Sequence, residues 1–105
     1  MSQHYFNCKR NDHDVTITLG YDRPLDKFFL NVEQEGVDSD NYISLYDLNA
    51  PDDDMDYFRE KLKSLGIAAP ESFFLAVEED AVERVGNYVV QHFADGSMEI
   101  LYPKS

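Results

Sequence analysis

Alternating apolar and polar residues predict three strands in the first third of the chain, at 4–10, 15–19 and 27–34. Their inward positions are Phe6 and Cys8, then Val15, Ile17 and Leu19, then Phe28, Leu30 and Val32. The connections at 11–14 and 20–26 are short, and short turns join antiparallel strands, whereas parallel strands need long crossovers. The three strands are therefore predicted to form an antiparallel meander.

The next stretch carries a less regular pattern. Residues 35–41, EGVDSDN, are polar and contain a glycine, which is typical of a turn. Residues 41–48, NYISLYDL, alternate and predict a short fourth strand with Ile43 and Leu45 on one face. The meander is thus expected to contain three to four strands.

A first helix is predicted in the middle of the chain. Its apolar residues follow at helical spacing and are Met55, Phe58, Leu62 and Leu65. Pro51 suits the first turn of this helix, and the aspartates of 52–56 complement the positive end of the helix dipole. Gly66 supplies the stop.

A second helix is predicted to begin at Pro70 and to end before Gly86. Its expected apolar stripe is Phe74, Val77, Ala81, Val82 and Val85. The opposite face is acidic and consists of Glu78, Glu79, Asp80 and Glu83. This helix is therefore expected to present a solvated acidic surface.

The C-terminal pattern predicts a β-hairpin. The runs 88–93 and 97–102 flank Ala94-Asp95-Gly96, and Asp-Gly between alternating runs is a strong hairpin signal. The complete pattern predicts a single α+β domain over residues 1–105. Its sheet is an antiparallel meander of three to four strands extended by the C-terminal hairpin, with two α-helices packed on one face.

Length and composition bound the class of protein. A chain of 105 residues, 43% of them hydrophobic, suffices for one core. No apolar run approaches the roughly 20 residues of a membrane helix, and the N-terminus lacks the apolar core of a signal peptide. Cys8 is the only cysteine, so no intrachain disulfide forms. We therefore expect a cytoplasmic protein with no membrane partner.

The net charge of -12 is concentrated in two segments. Residues 28–58 contain nine acids and no lysine or arginine, and residues 64–83 contain five acids and no base. Such a surface repels nucleic acid and anionic membranes but attracts basic protein surfaces, including nucleic-acid-binding sites. Direct binding of nucleic acid is therefore not expected.

The aspartate cluster does not match a calcium loop. A loop that starts at Asp52 places Tyr57 where glycine is required and Lys63 where the bidentate glutamate belongs. Helix capping explains the cluster more simply than a weak divalent-cation site does. We therefore expect no metal site and no cofactor.

Catalytic side chains are scarce in the sequence. Cys8 is expected in the core, whereas His4, near a terminus, and His13, in a turn, are expected in solvent. His92 lies in a strand close to a hairpin, where it can face a cleft, but one histidine without an orienting partner is weak evidence for catalysis. The sequence therefore favours a protein that is not an enzyme.

The segment GYDRPLDKFF (20–29) has two interpretations. In the first, Gly20 provides an unusual backbone angle and Pro24 fixes the chain, so the segment only connects two strands. In the second, Arg23 is a cation presented to a partner beside the outward-facing Phe29. The two differ in whether Arg23 is exposed or paired with an internal carboxylate.

Surface recognition is the function that the sequence favours. Aspartates and tyrosines interleave in 38–56, a pattern typical of protein interfaces. We hypothesise a small acidic binding protein that docks on a basic protein surface, as inhibitors and nucleic-acid mimics of phage type do. The predicted contact residues are Asp38, Asp40, Tyr42, Tyr46, Asp47, Asp52, Asp53, Asp54, Asp56, Glu78, Glu79, Asp80, Glu83, Arg23 and Phe29.

Two alternatives belong to other functional classes. One is a bacterial-type accessory domain, homodimeric through its sheet edge, whose acidity serves solubility alone. The other is a small metal-dependent or hydrolytic enzyme, which would need a concave site that joins His92 to buried carboxylates.

Overall fold

The structure is a computed structural model that describes residues 1–10, 12–34 and 37–102, with only the backbone described at 37–41. Its elements are β1 (Ser2–Arg10), β2 (His13–Asp22), β3 (Lys27–Gln34), β4 (Val37–Ile43), a 3-10 turn (Ser44–Tyr46), α1 (Met55–Ser64), α2 (Glu71–Glu83), β5 (Tyr88–His92) and β6 (Met98–Tyr102). The predicted α+β class is confirmed. In these ranges, no helix is long and apolar enough to cross a membrane.

The strands form a mixed sheet in the order β4-β3-β2-β1-β5-β6. Strands β1 to β4 form the predicted meander, and β5 and β6 form the predicted hairpin. Strand β5, however, pairs with β1 in parallel, from Ser2 opposite Tyr88 to Phe6 opposite His92. The expectation of an antiparallel sheet throughout is therefore wrong. The chain returns to β1 through both helices, and such a long crossover brings a strand back parallel to its neighbour.

The predicted second turn and fourth strand are displaced. Residues 37–41 belong to strand β4, although a turn was expected there, and residues 44–46 form a 3-10 turn. The Ser44 hydroxyl accepts a hydrogen bond from the Leu30 N–H at 2.9 Å, so a side chain replaces the backbone partner and strand pairing ends. The parts of the two predicted turns at residues 11 and 35–36 lie outside the described residues.

One core lies between one face of the sheet and the two helices. The sheet contributes Phe6, Val15, Ile17, Leu19, Tyr21, Leu30 and Val32. The helical half contributes Met55, Phe58, Leu62, Ile67, Phe73, Phe74 and Val77. The inward positions predicted for the first three strands are confirmed, with Cys8 and Phe28 partly buried at the edge of the core. Burial raises the pKa of the Cys8 thiol.

Met55, Phe58 and Leu62 of the predicted stripe of α1 are buried, whereas Leu65 is the C-cap after the helix and is half-buried. Its N-cap is Asp54, whose side chain accepts a hydrogen bond from the Asp56 N–H at 3.0 Å. Pro51 precedes the helix and does not lie in its first turn, so that expectation is wrong. The cap decides the start of the helix, since a side chain that satisfies a free backbone N–H stabilises the first turn.

Helix α2 is rotated relative to its predicted stripe. Its buried residues are Phe73, Phe74, Val77 and Asp80. Val82 is 80% exposed, and Arg84 ends the helix in the left-handed conformation, which leaves Val85 outside it. The expectation that Val82 and Val85 belong to the buried stripe is therefore wrong. Positions 73, 77 and 80 share one side of a helix with 3.6 residues per turn, whereas position 82 does not.

Gly20 is required by space and not by its backbone angle. It lies within β2, opposite Phe29 of β3. A Cβ at this position would overlap the Ser2 carbonyl oxygen and the Phe29 ring, so the ring covers the glycine. The expected unusual backbone angle is wrong at Gly20; in this hairpin the positive φ belongs to Asp26, at 52°.

Candidate functional site

Two acidic segments meet in a groove between the N-terminal end of α1 and helix α2, here called the acidic groove. It has a volume of about 470 Å³ and is lined by Phe28, Asp53, Asp54, Met55, Asp56, Arg59, Glu78, Ala81 and Val82. Its carboxylates come from two distant parts of the sequence. The tertiary structure therefore gathers charge that the sequence keeps apart.

Arg59 neutralises one side of the acidic groove. Its guanidinium lies 2.9 Å from an oxygen of Asp56, donates to Glu71 at 3.0 Å and pairs with Glu78. The same group lies 5.2 Å from the centre of the Phe74 ring. Among the described residues, no cationic side chain pairs with Asp53 or Asp54. At this end the groove therefore carries negative charge without a cationic side chain beside it in the described part of the chain.

Most of the predicted contact residues lie at the surface. The exposed ones are Arg23, Tyr46, Asp52, Asp53, Asp54, Asp56, Glu79 and Glu83. Phe29 and Glu78 are half-buried, and the side chains of Asp38 and Asp40 lie outside the described residues. Arg23 is exposed on the β2–β3 turn, and no ion pair involves it in the described part of the chain. The alternative of an internal partner for Arg23 is therefore not supported.

Tyr42 and Asp47 serve the fold more than the surface. One Asp47 oxygen accepts hydrogen bonds from the Tyr42 hydroxyl at 2.7 Å and from the Tyr57 hydroxyl at 2.8 Å. These bonds lower the pKa of the Asp47 carboxyl, while burial and the bond to Asp47 raise the pKa of Tyr42. The Lys61 ammonium lies 5.2 Å from the centre of the Tyr42 ring and 5.6 Å from that of Tyr57. This cluster attaches the segment after β4 to α1.

Asp80 is buried, at 6% exposure, so its predicted place on the exposed acidic face is wrong. It lies about two helical turns after Phe73, on the same side of α2. Its Oδ2 lies 2.5 Å from His4 Nε2, in a buried hydrogen bond. A buried carboxylate needs such a partner, because leaving water without one is costly.

His4 is the centre of a buried group of three side chains, Asp80, His4 and His92, here called the histidine network. His4 is 1% exposed and His92 is 2% exposed. Between them, His4 Nδ1 lies 2.7 Å from His92 Nε2. When both rings are neutral, His4 donates to Asp80 and accepts from the His92 Nε2–H. The remaining nitrogen, His92 Nδ1, is buried with no partner among the described residues.

The histidine network favours a neutral His92. Burial, followed by the neighbouring His4, lowers the pKa of His92 to about 4, while the Asp80 carboxylate acts in the opposite direction. His92 is therefore uncharged at neutral pH. Because its ring is buried, the network offers a substrate no access through His92, the residue on which the enzyme alternative depended.

Sequence reasoning missed the histidine network, and its expectation that His4 lies in solvent is wrong. One signal was available, since the alternation that directs Phe6 and Cys8 inward also directs His4 inward, two residues earlier. The expectation that His92 lacks an orienting partner is also wrong. His92 reaches His4 because β5 lies parallel to β1, which puts His92 opposite Phe6. No local pattern specified that pairing.

Metal chemistry and similarity to known proteins provide no further assignment. Within the described ranges, no group of three or more His, Cys, Asp or Glu residues is placed to hold a metal ion. Comparison with known proteins finds no matching family model and no significantly similar curated protein or solved structure. The interpretation of the site therefore rests on its geometry and charge.

Proposed function

We propose that this protein is a small non-enzymatic binding protein whose acidic groove docks on a basic protein surface. The main support is that Asp53 and Asp54, which lack a cationic partner in the described part of the chain, lie in one concave surface with Val82. Carboxylates steer a basic partner towards the groove, and an apolar side chain supplies contact area. We further propose that the partner is a nucleic-acid-binding protein and that the acidic surface covers its nucleic-acid-binding site.

The exposed Val82 adds apolar contact area to the acidic groove. Val82 is 80% exposed and lines the groove beside Glu78. The combination of charge and exposed apolar area is typical of a recognition surface.

The test is affinity capture of partners at low and high salt, with matched variants as bait. Asp52→Asn with Asp53→Asn removes two exposed charges, that of Asp53 in the groove and that of the preceding Asp52. Asp12→Asn with Asp14→Asn removes two exposed charges at the β1–β2 turn and gives the same net charge. We expect the groove variant to lose a partner that the wild type and the control variant retain.

High salt should also release that partner, since exposed charges are screened over about 10 Å at 0.1 M. A partner retained at high salt, or lost equally from both double variants, would contradict the proposal. The first outcome would indicate apolar binding, and the second would indicate an effect of net charge without a defined groove.

A homodimeric accessory domain is a second candidate, favoured by the edge strand β6. All five residues of β6 are exposed, and Met98, Ile100 and Tyr102 are among the exposed apolar side chains. An uncovered edge strand offers unpaired backbone groups to another strand. Sedimentation over a range of concentrations tests this candidate: a dimer that Ile100→Lys dissociates supports it, and a monomer at every concentration contradicts it.

A further inference from the structure

We propose that a cavity beside the histidine network binds the side chain of a lysine or arginine that the basic partner presents. This inference rests on the proposed function, because the occupant belongs to that partner. The cavity has a volume of about 350 Å³ and lies between α2 and the strands β1, β5 and β6. It is on the opposite side of α2 from the acidic groove, since it involves positions 76, 79, 80 and 83 and the groove involves 78, 81 and 82.

The charge of this cavity is entirely negative. Its lining includes Glu79 and Glu83, which are exposed, and Asp80, which is buried, and it includes no lysine or arginine. A concave surface with one sign of charge and low-dielectric walls concentrates the electric field. A cation is therefore the ligand that its electrostatics favour.

The Asp80 carboxylate lines the cavity and uses one of its two oxygens in hydrogen bonding within the described part of the chain. Its Oδ2 is bonded to His4, whereas its Oδ1 has no hydrogen-bond partner among the described residues. An ionised carboxylate has about four acceptor positions, so this oxygen can accept further hydrogen bonds. An ammonium or guanidinium group in the cavity would donate hydrogen bonds to this oxygen.

The walls of the cavity match the long apolar stem of a basic side chain. Val85, Val90 and Met98 provide apolar surface, and Tyr88 adds an aromatic ring. Lysine and arginine bury their methylene stems along apolar surfaces, and their charged groups are attracted to aromatic faces. Apolar walls with carboxylates at one end fit such a side chain better than they fit a hydrated metal ion.

The histidine network holds the acidic floor of the cavity in place. His4 also lines the cavity, and it is fixed by hydrogen bonds to Asp80 on one side and to His92 on the other. His4 is thus a positioning residue for the Asp80 carboxylate.

An NMR titration tests the proposal without any partner protein. The probe is Nα-acetyl-lysine methylamide, and Nα-acetyl-norleucine methylamide is the neutral control with a similar stem. We expect saturable shifts at His4, Tyr88 and Met98 with the lysine probe and none with the norleucine probe. Glu79→Gln with Glu83→Gln should weaken binding by about fivefold or more, because it removes two charges at the rim.

The variant Asp12→Asn with Asp14→Asn, which removes two exposed charges at the β1–β2 turn, is the matched control and should bind the lysine probe as the wild type does. Asp80→Asn, if it folds, should abolish the shifts. Equal shifts with the norleucine probe, or unchanged affinity in the Glu79→Gln, Glu83→Gln variant, would overturn the proposal. Tighter binding of n-butylammonium than of the lysine probe would also overturn it, since the occupant would then be a free amine.

The titration and the capture experiment fail separately. A titration without saturable shifts contradicts the binding of a basic side chain in the cavity. It does not affect the proposal that the acidic groove docks on a basic partner. A capture experiment that finds no salt-sensitive partner contradicts the proposed docking of the acidic groove, whatever the titration shows.

Discussion

The acidic groove and the histidine network lie on different sides of α2. The carboxylates of the groove are in contact with water, whereas that of the network is buried. In the groove, Asp53 stays in water and Glu78 pairs with Arg59 near the surface, where ion pairs contribute little to stability. In the network, Asp80 has left water and depends on His4. A carboxylate therefore serves recognition or stability according to its position on the helix, and the charge alone does not decide which.

The largest expected effect on stability comes from removing the buried hydrogen bond between His4 and Asp80. His4→Leu leaves Asp80 buried without its partner, so the free energy of unfolding should fall by about 3 kcal/mol. Urea denaturation at pH 7.5 measures the change. Asp53→Asn, the matched change in the groove, should alter the free energy of unfolding by less than about 0.5 kcal/mol. Equal effects of the two substitutions would show that Asp80 does not depend on His4.

Acidification should destabilise the protein through His92. The pKa of His92 is about 4 in the folded state, whereas an unfolded histidine titrates near 6.5. The unfolded state therefore takes up the proton first, so this stabilisation is complete above about pH 6.5 and is lost as the pH falls towards 4. At pH 5 the loss due to His92 should be about 2 kcal/mol, measured by urea denaturation at several pH values.

Two histidine variants separate this effect from general acid sensitivity. His92→Gln removes the titrating group and keeps a side-chain donor for His4, so it should flatten the dependence of stability on pH between 6.5 and 4.5. His13→Gln changes an exposed histidine at the β1–β2 turn and should leave that dependence as it is in the wild type. The same slope in His92→Gln as in the wild type would rule out His92 as the source.

A smaller difference in stability is expected between two neighbouring aspartates of the acidic groove, Asp53 and Asp54. Asp54 caps α1, whereas the adjacent Asp53 makes no side-chain hydrogen bond in the described part of the chain. Asp54→Ala should therefore lower the free energy of unfolding by about 1 kcal/mol, and Asp53→Ala should leave it nearly unchanged. Thermal unfolding of the two variants side by side measures the difference. A loss of the same size in both would mean that the groove stabilises the fold through its charge.

Residue patterns of short range predicted the fold well. The inward positions of β2 and β3, the apolar stripe of α1 and the Asp95-Gly96 hairpin are confirmed. Each depends on neighbouring residues that prefer one local geometry. The rotation of α2 about its axis was not predicted. Charge was taken as a sign of exposure, so Asp80 was assigned to the solvated face.

The candidate site was predicted in composition and not in arrangement. Asp53, Asp54 and Asp56 were expected at the surface and are exposed. Tyr42 and Asp47 were expected in the same surface, but they bond to each other and to the structure around α1. An interleaved pattern of aspartate and tyrosine does not reveal whether the tyrosines donate inward or face a partner.

By itself, the sequence determined the local elements, the turns and the two acidic segments, because these depend on residues a few positions apart. Only the tertiary structure decided that His4, Asp80 and His92 meet and that Asp53 shares a groove with Glu78. Both arrangements join distant parts of the chain. They require the parallel docking of β5 beside β1 and one rotation of α2 on the sheet, which packing of the complete core selects.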